Sequence, residues 1–128
     1  MLIPSKNKHE KIVLGLLSYV SSDLTIDEIK EIIEDYRRKE DAEIYLYYDE
    51  ETENFIGLLA VTHHYSDDGH ETTAKNITID KIALIPSFRS EGFGFRMYQE
   101  LKANYPGIPI LGTLKTVDII NHWMRQEE

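Results

Sequence analysis

Arg89-Ser90-Glu91-Gly92-Phe93-Gly94 is the stretch whose residue types and spacing could do chemistry. It follows an apolar run containing Ile77, Ile79, Ile82, Leu84 and Ile85, which Pro86 ends by removing a backbone donor. It leads into a helical pattern in which Met97, Tyr98 and Leu101 share one face. A strand that passes through a glycine turn into a helix leaves main-chain N–H groups without internal acceptors, at the positive end of the helix dipole. Glycines without Cβ let an anion come against those amides, and Arg89 adds a full positive charge. Capture of a diphosphate is the chemistry that suits this arrangement. The same letters also serve a plain strand-to-helix turn whose glycines are there for packing. Two other phosphate loops fail on spelling. Phe95-Arg96-Met97 follows Gly94, so G-x-G-x-x-G lacks its third glycine, and the string G-x-x-x-x-G-K-[ST] is absent.

The elements that must hold this turn follow in chain order. Residues 8–20 form a first amphipathic helix, with Ile12, Val13, Leu16, Leu17 and Val20 at helical spacing. Lys6, Lys8 and Lys11 ahead of it imitate a secretory signal. His9 and Glu10 interrupt that outline, and the apolar run is too short to span a bilayer, so the cytoplasm is the expected location. Thr25 with Glu28 forms a capping box, Leu24 and Ile29 the accompanying staple, and Ile29, Ile32, Ile33 and Tyr36 a buried face. Residues 43–48 and 55–65 read as an antiparallel hairpin in which Tyr45, Tyr47 and Tyr48 pack on the sheet. Residues 66–76 form a polar loop, 108–114 a strand parallel to the 77–85 strand, and 115–126 a last helix burying Val117, Ile120, Trp123 and Met124. The order ααβββαβα is that of an α/β (α+β) domain, a mostly antiparallel sheet flanked by helices, spanning residues 1–128 as a single unit.

Composition narrows the function classes. The 128 residues carry a formal charge of −9, which argues against nucleic acid or an anionic membrane as the main partner. A polyanionic ligand would therefore need local positive charge, which draws attention to Arg89 and Arg96. No cysteine is present, so there is no disulfide, thiolate nucleophile or zinc–thiolate site. His63, His64, Asp67, Asp68 and His70 do not make a convincing metal set. Strand alternation sends the two adjacent histidines to opposite faces, and the others lie on a loop.

The pattern R-x-x-G-x-G after a strand ending Leu84-Ile85-Pro86 resembles motif A of the GCN5-related N-acetyltransferases. Met1-Leu2-Ile3 and the segment from Glu10 to Tyr19 also look like the small acetyltransferases of bacterial riboflavin operons. The resemblance implies acetyl-CoA as co-substrate and direct transfer to a primary amine, on a small molecule or a protein. Binding would involve Ile82, Ala83, Leu84, Arg89, Ser90, Glu91, Gly92, Phe93, Gly94 and Phe95. The amides from Ser90 to Phe95 would hold the pyrophosphate, and a main-chain N–H at or beside Leu84 would polarise the thioester carbonyl. The family's sheet splays between the motif strand and the next parallel strand, and the pantetheine arm slots there. Family members usually continue beyond the last helix. This chain ends five residues after Trp123, so part of the usual acceptor wall would be missing, and a homodimer could supply it.

An incoming ammonium must lose a proton, which calls for a carboxylate or imidazole. Asp80 lies two residues before Ile82 and should share its face and that of Leu84, so it is placed ahead of His64 as the base. Thr78 stands where some relatives carry a glutamate base. Trp123 falls where many carry a tyrosine acid, with His122 beside it, and indole N–H cannot deliver a proton at neutral pH. That departure keeps open an alternative, a coenzyme-A-binding regulatory or sensor module with little or no catalysis.

Overall fold

The computed structural model describes residues 1–65 and 73–127. Its strands are β1 (Leu2–Pro4), β2 (Ala42–Asp49), β3 (Asn54–His64), β4 (Asn76–Leu84) and β5 (Ile110–Gly112). Its helices are α1 (Glu10–Ser18), α2 (Ile26–Arg38), α3 (Phe93–Asn104) and α4 (Val117–Gln126). The sheet runs β1-β2-β3-β4-β5, antiparallel throughout except for the parallel β4–β5 pair. β3 is its centre, and residues 58–61 of that strand are fully buried on both faces.

Alternation along the strands makes two cores. Val13, Leu16 and Leu17 of α1, with Ile29 and Ile33 of α2, pack on Ile44, Leu46, Leu58 and Ala60. Met97, Tyr98 and Leu101 of α3, with Ile120 and Trp123 of α4, pack on Ile56, Leu59, Ile77 and Ile79. The signals read from the letters explain the helices. Thr25 Oγ1 accepts the Glu28 N–H (3.1 Å) while Glu28 accepts the Thr25 N–H (2.9 Å), closing the capping box. The apolar stripe of residues 8–20 belongs to a packed helix, and no helix among the described residues is long and apolar enough to cross a membrane.

Several boundaries differ from the expected ones, each for a local reason. The order gains a strand at its start, where Leu2–Pro4 pairs with Tyr45–Tyr47. Three residues ending in proline are too few for alternation to show. That edge is tied down: the Met1 ammonium donates to Tyr48 O (2.7 Å) and Leu2 N–H to Glu100 Oε1 on α3 (2.8 Å). β5 is shorter than 108–114, because Ile108 N–H is held by Tyr105 O in the preceding turn (3.1 Å) and Thr113 N–H by Thr116 Oγ1 (2.9 Å). Val20 and Met124, expected on buried faces, are 45% and 46% exposed. Residues 66–72 of the polar loop, with Asp67, Asp68 and His70, lie outside the described residues.

One irregularity matters for the site. Ala60 pairs with Lys81 and Val61 with Ile79, so Asp80 is an extra residue in β4, a β-bulge. Before it, Ile77 and Ile79 face the α3–α4 core. After it, Ile82 and Leu84 face that side and Ala83 the other.

Candidate active site

The β4–β5 ladder ends at Ile79. There Thr116 Oγ1 donates to Ile79 O (2.7 Å) and accepts from Thr113 N–H (2.9 Å), a buried hydroxyl wedged between the strands. Thr116 occupies the N-cap position of α4 yet its side chain caps nothing there. Beyond this wedge β5 is over, at Gly112, while β4 runs on to Leu84 without a partner on that edge, which leaves a fork between β4 and α4. Ile85 N–H donates to Ile56 O (2.9 Å). By antiparallel alternation the main-chain groups of Ala83 and Lys81 then face β3, whereas those of Leu84 and Ile82 face the opening. Arg89 Nε donates to Leu84 O (3.1 Å), fastening the turn to the end of the strand.

A cavity of about 470 Å³ fills the fork on the α3–α4 side. Ile82 and Leu84 line it from β4; Arg89, Ser90, Gly92, Gly94 and Phe95 from the turn and first helical residues; His122 and Trp123 from α4. The first internal bond at the start of α3 runs from Arg96 N–H to Gly92 O (3.2 Å), so the amides of Phe93, Gly94 and Phe95 have no acceptor within the helix. The two glycines serve different needs. Gly92 has φ +84°, and a Cβ there would meet nothing within 4 Å. A Cβ on Gly94 would lie 2.8 Å from Trp123 Cζ2. Gly92 therefore supplies a backbone shape, and Gly94 makes room for the indole.

Seven of the ten residues expected to bind the coenzyme thus line one cavity. Three do not. Phe93 is turned into a T-shaped aromatic group with Tyr47 and Phe88, with the Arg96 guanidinium 4.9 Å above its ring, so it offers the fork only its amide. Ala83 is buried against the α1–α2 core, as alternation requires, and Glu91 is exposed away from the cavity.

Asp80 departs from expectation. The bulge turns it away from the face of Ile82 and Leu84 and toward α2, where Tyr36 and Thr62 both donate to its Oδ2 at 2.6 Å. Burial, with the carboxylate alongside, raises the Tyr36 phenol far above its ordinary value, so it stays a donor. Among the described residues Oδ1 has no hydrogen-bond partner. Asp80 lines a second cavity of about 440 Å³, reached from the α1–α2 side, together with Ser21, Asp23 and Leu24 of the α1–α2 connection and Lys115. The two cavities share Ile82 and Ile119.

The adjacent histidines separate as alternation demands. His63 Nε2 lies 2.6 Å from Tyr105 Oη, which is itself 2.6 Å from Tyr45 Oη, and burial lowers the pKa of the imidazole. Its stabilising contribution is full above the ordinary imidazole value of 6.5 and is lost as pH falls through the lowered folded value. The urea midpoint should accordingly fall on acidification below about pH 6.5, and His63→Gln should flatten that dependence. His64 is exposed at the strand end and lines neither cavity. Among the described residues no group of three or more His, Asp or Glu is arranged to hold a metal ion.

Sequence reasoning missed Tyr36 and Thr62 as partners of Asp80, and Thr116 as the wedge. Tyr36 carries the one hydroxyl on the buried stripe of α2, a signal that was available. The Thr116 wedge had none, since a threonine before a helix reads as a cap.

The model of the acetyltransferase (GNAT) family matches residues 15–119. An uncharacterized N-acetyltransferase encoded in the lysA 3′ region of Bacillus methanolicus is 28% identical over 120 residues, covering 94% of this chain and 92% of that protein. Among solved structures, the apo aminoglycoside 6′-N-acetyltransferase AAC(6′)-IG of Acinetobacter haemolyticus superposes with TM-score 0.70 at 15% identity, over 99% of this chain and 88% of that one. The aminoglycoside N-acetyltransferase AAC(6′)-Iy, solved in complex with CoA, gives 0.70 at 15% identity over 99% and 84%. These structural likenesses share the five-stranded, helix-flanked architecture, and the family match covers the strand, turn and helix around the fork. The chain belongs to the GNAT acetyltransferase family.

Proposed function

We propose that the protein transfers an acetyl group from acetyl-CoA to the primary amine of a small molecule, by direct attack with both substrates bound. The observation that carries this is the meeting of two cavities at Ile82 and Ile119, where the sheet forks. One has the amides and the arginine that suit a diphosphate. The other has a carboxylate aligned by two hydroxyls. The CoA complex of AAC(6′)-Iy, a protein of the same fold, supports acetyl-CoA as the co-substrate.

In this scheme the amides of Phe93, Gly94 and Phe95 hold the pyrophosphate, with Arg89 beside them. The outward N–H of Ile82 or Leu84 polarises the thioester carbonyl, the role of an oxyanion donor, worth about 3 kcal/mol. Asp80 takes the proton from the acceptor ammonium. The amine nitrogen then attacks the carbonyl carbon and the C–N bond forms; the nitrogen gives up its second proton to solvent as the C–S bond breaks and the thiolate leaves. Trp123 can donate a hydrogen bond to that sulfur but no proton. A thiol of pKa near 8.5 is a tolerable leaving group, protonated by solvent.

Calorimetric titration with acetyl-CoA, followed by an amine screen detecting free thiol, tests the proposal. Micromolar binding and amine-dependent thiol release are expected. Binding without release across the panel would assign the chain instead to coenzyme sensing, and no binding would refute both. Arg89→Ala should weaken acetyl-CoA binding by roughly 1–3 kcal/mol, as for a charge-assisted hydrogen bond, and the loss should shrink at high salt.

A further inference from the structure

The acceptor-side cavity carries two carboxylates, Asp23 and Asp80, and two ammonium groups, Lys81 and Lys115. Among the described residues neither lysine, nor Asp23, takes part in an ion pair. In a chain of net charge −9 this balance is notable, because a polycationic acceptor would be served by carboxylates alone and repelled by the lysines. Unpaired cations beside a substrate cavity call for an anion on the substrate. The remaining wall is mainly apolar, with Leu24, Ile82, and Val20 and Ile119 at 45% and 40% exposure, beside the hydroxyls of Ser21 and Thr116. At about 440 Å³ the space lies within the usual range for small-molecule sites and is ample for an amino acid or dipeptide.

We infer that the acceptor is a zwitterion of the amino-acid type, a primary amine that also carries a carboxylate on a short aliphatic stem. The ammonium sits at Asp80, beside the shared Ile82 and Ile119, where the thioester carbonyl can be reached. Lys115, with Lys81, takes the carboxylate. Asp23 receives a second ammonium where the stem bears one. This rests on the acyl-transfer reading above and names its substrate class.

The test compares amines that differ only by a carboxylate, lysine against cadaverine and ornithine against putrescine, with acetyl-CoA and thiol detection. The carboxylated member should have at least a tenfold higher kcat/KM. That preference should collapse toward one in the Lys81→Met/Lys115→Met double variant. Turnover of the diamines at equal or higher efficiency overturns the inference and leaves acetyl transfer intact, whereas a failure of acetyl-CoA to bind overturns both. Should no amine turn over, the same pairs are titrated by calorimetry into protein saturated with coenzyme A. Tighter binding of the zwitterions supports the inference, and equal or weaker binding overturns it.

Discussion

Asp80→Asn should lower kcat by about 10²–10⁴-fold, the range a positioned general base contributes, while acetyl-CoA binds as before. The substitution is well suited to the question. An asparagine oxygen can accept from Tyr36 and Thr62 as Asp80 Oδ2 does, at 2.6 Å from each, so the local structure should hold. What is lost is the capacity to take a proton from the acceptor. Coenzyme affinity should not change, because Asp80 lies outside the cavity that Gly92 and Arg89 line. Tyr36→Phe, which removes one of the two donors, should lower kcat about tenfold with an unchanged KM for acetyl-CoA. If Asp80→Asn matches the parent at every pH, the base is another group.

Gly92→Val should raise the acetyl-CoA dissociation constant by at least tenfold. At φ +84° a side chain costs about 1–2 kcal/mol, and a β-branched one more. Relief of that strain would swing the Phe93, Gly94 and Phe95 amides off their common aim, and a Cβ would in any case occupy the open side where an anion approaches. The chain should still fold, with a melting temperature only a few degrees lower as that strain implies, since the position lies at an exposed helix start where no packing is lost. Gly94→Val makes the contrast, because its Cβ would press on Trp123 and the melting temperature should fall. Equal coenzyme affinity in Gly92→Val would place the diphosphate elsewhere.

The helices, the hairpin and the glycine turn were legible because each rests on local signals. The Thr25–Glu28 box, the α3 face of Met97, Tyr98 and Leu101, and Pro86 at the strand end are all encoded within a few residues. The clustering of Arg89, Gly92 and Gly94 with Ile82 and Leu84 was legible for the same reason. Asp80 was misoriented because period-two counting assumes an unbroken ladder, and nothing in Thr78-Ile79-Asp80-Lys81 announces an extra residue. Whether a strand bulges depends on its partner, here residues 60–61 of β3, far off in sequence. Ala83 was included with its neighbours as a contiguous motif, although alternation alone would have set it aside.

The surplus residue in β4 also bears on how such a chain can change. Point substitutions at Asp80 or Lys81 alter what one side of the sheet offers and leave the spacing of Ile82, Leu84 and the glycine turn untouched. A single deletion between Ile79 and Ile82 would restore strict alternation with Ile79, Ile82 and Leu84 still on one side, but it would remove the surplus position from which the strand offers the Asp80 carboxylate to the other. Drift in acceptor preference should therefore be recorded in this strand as replacements at constant length.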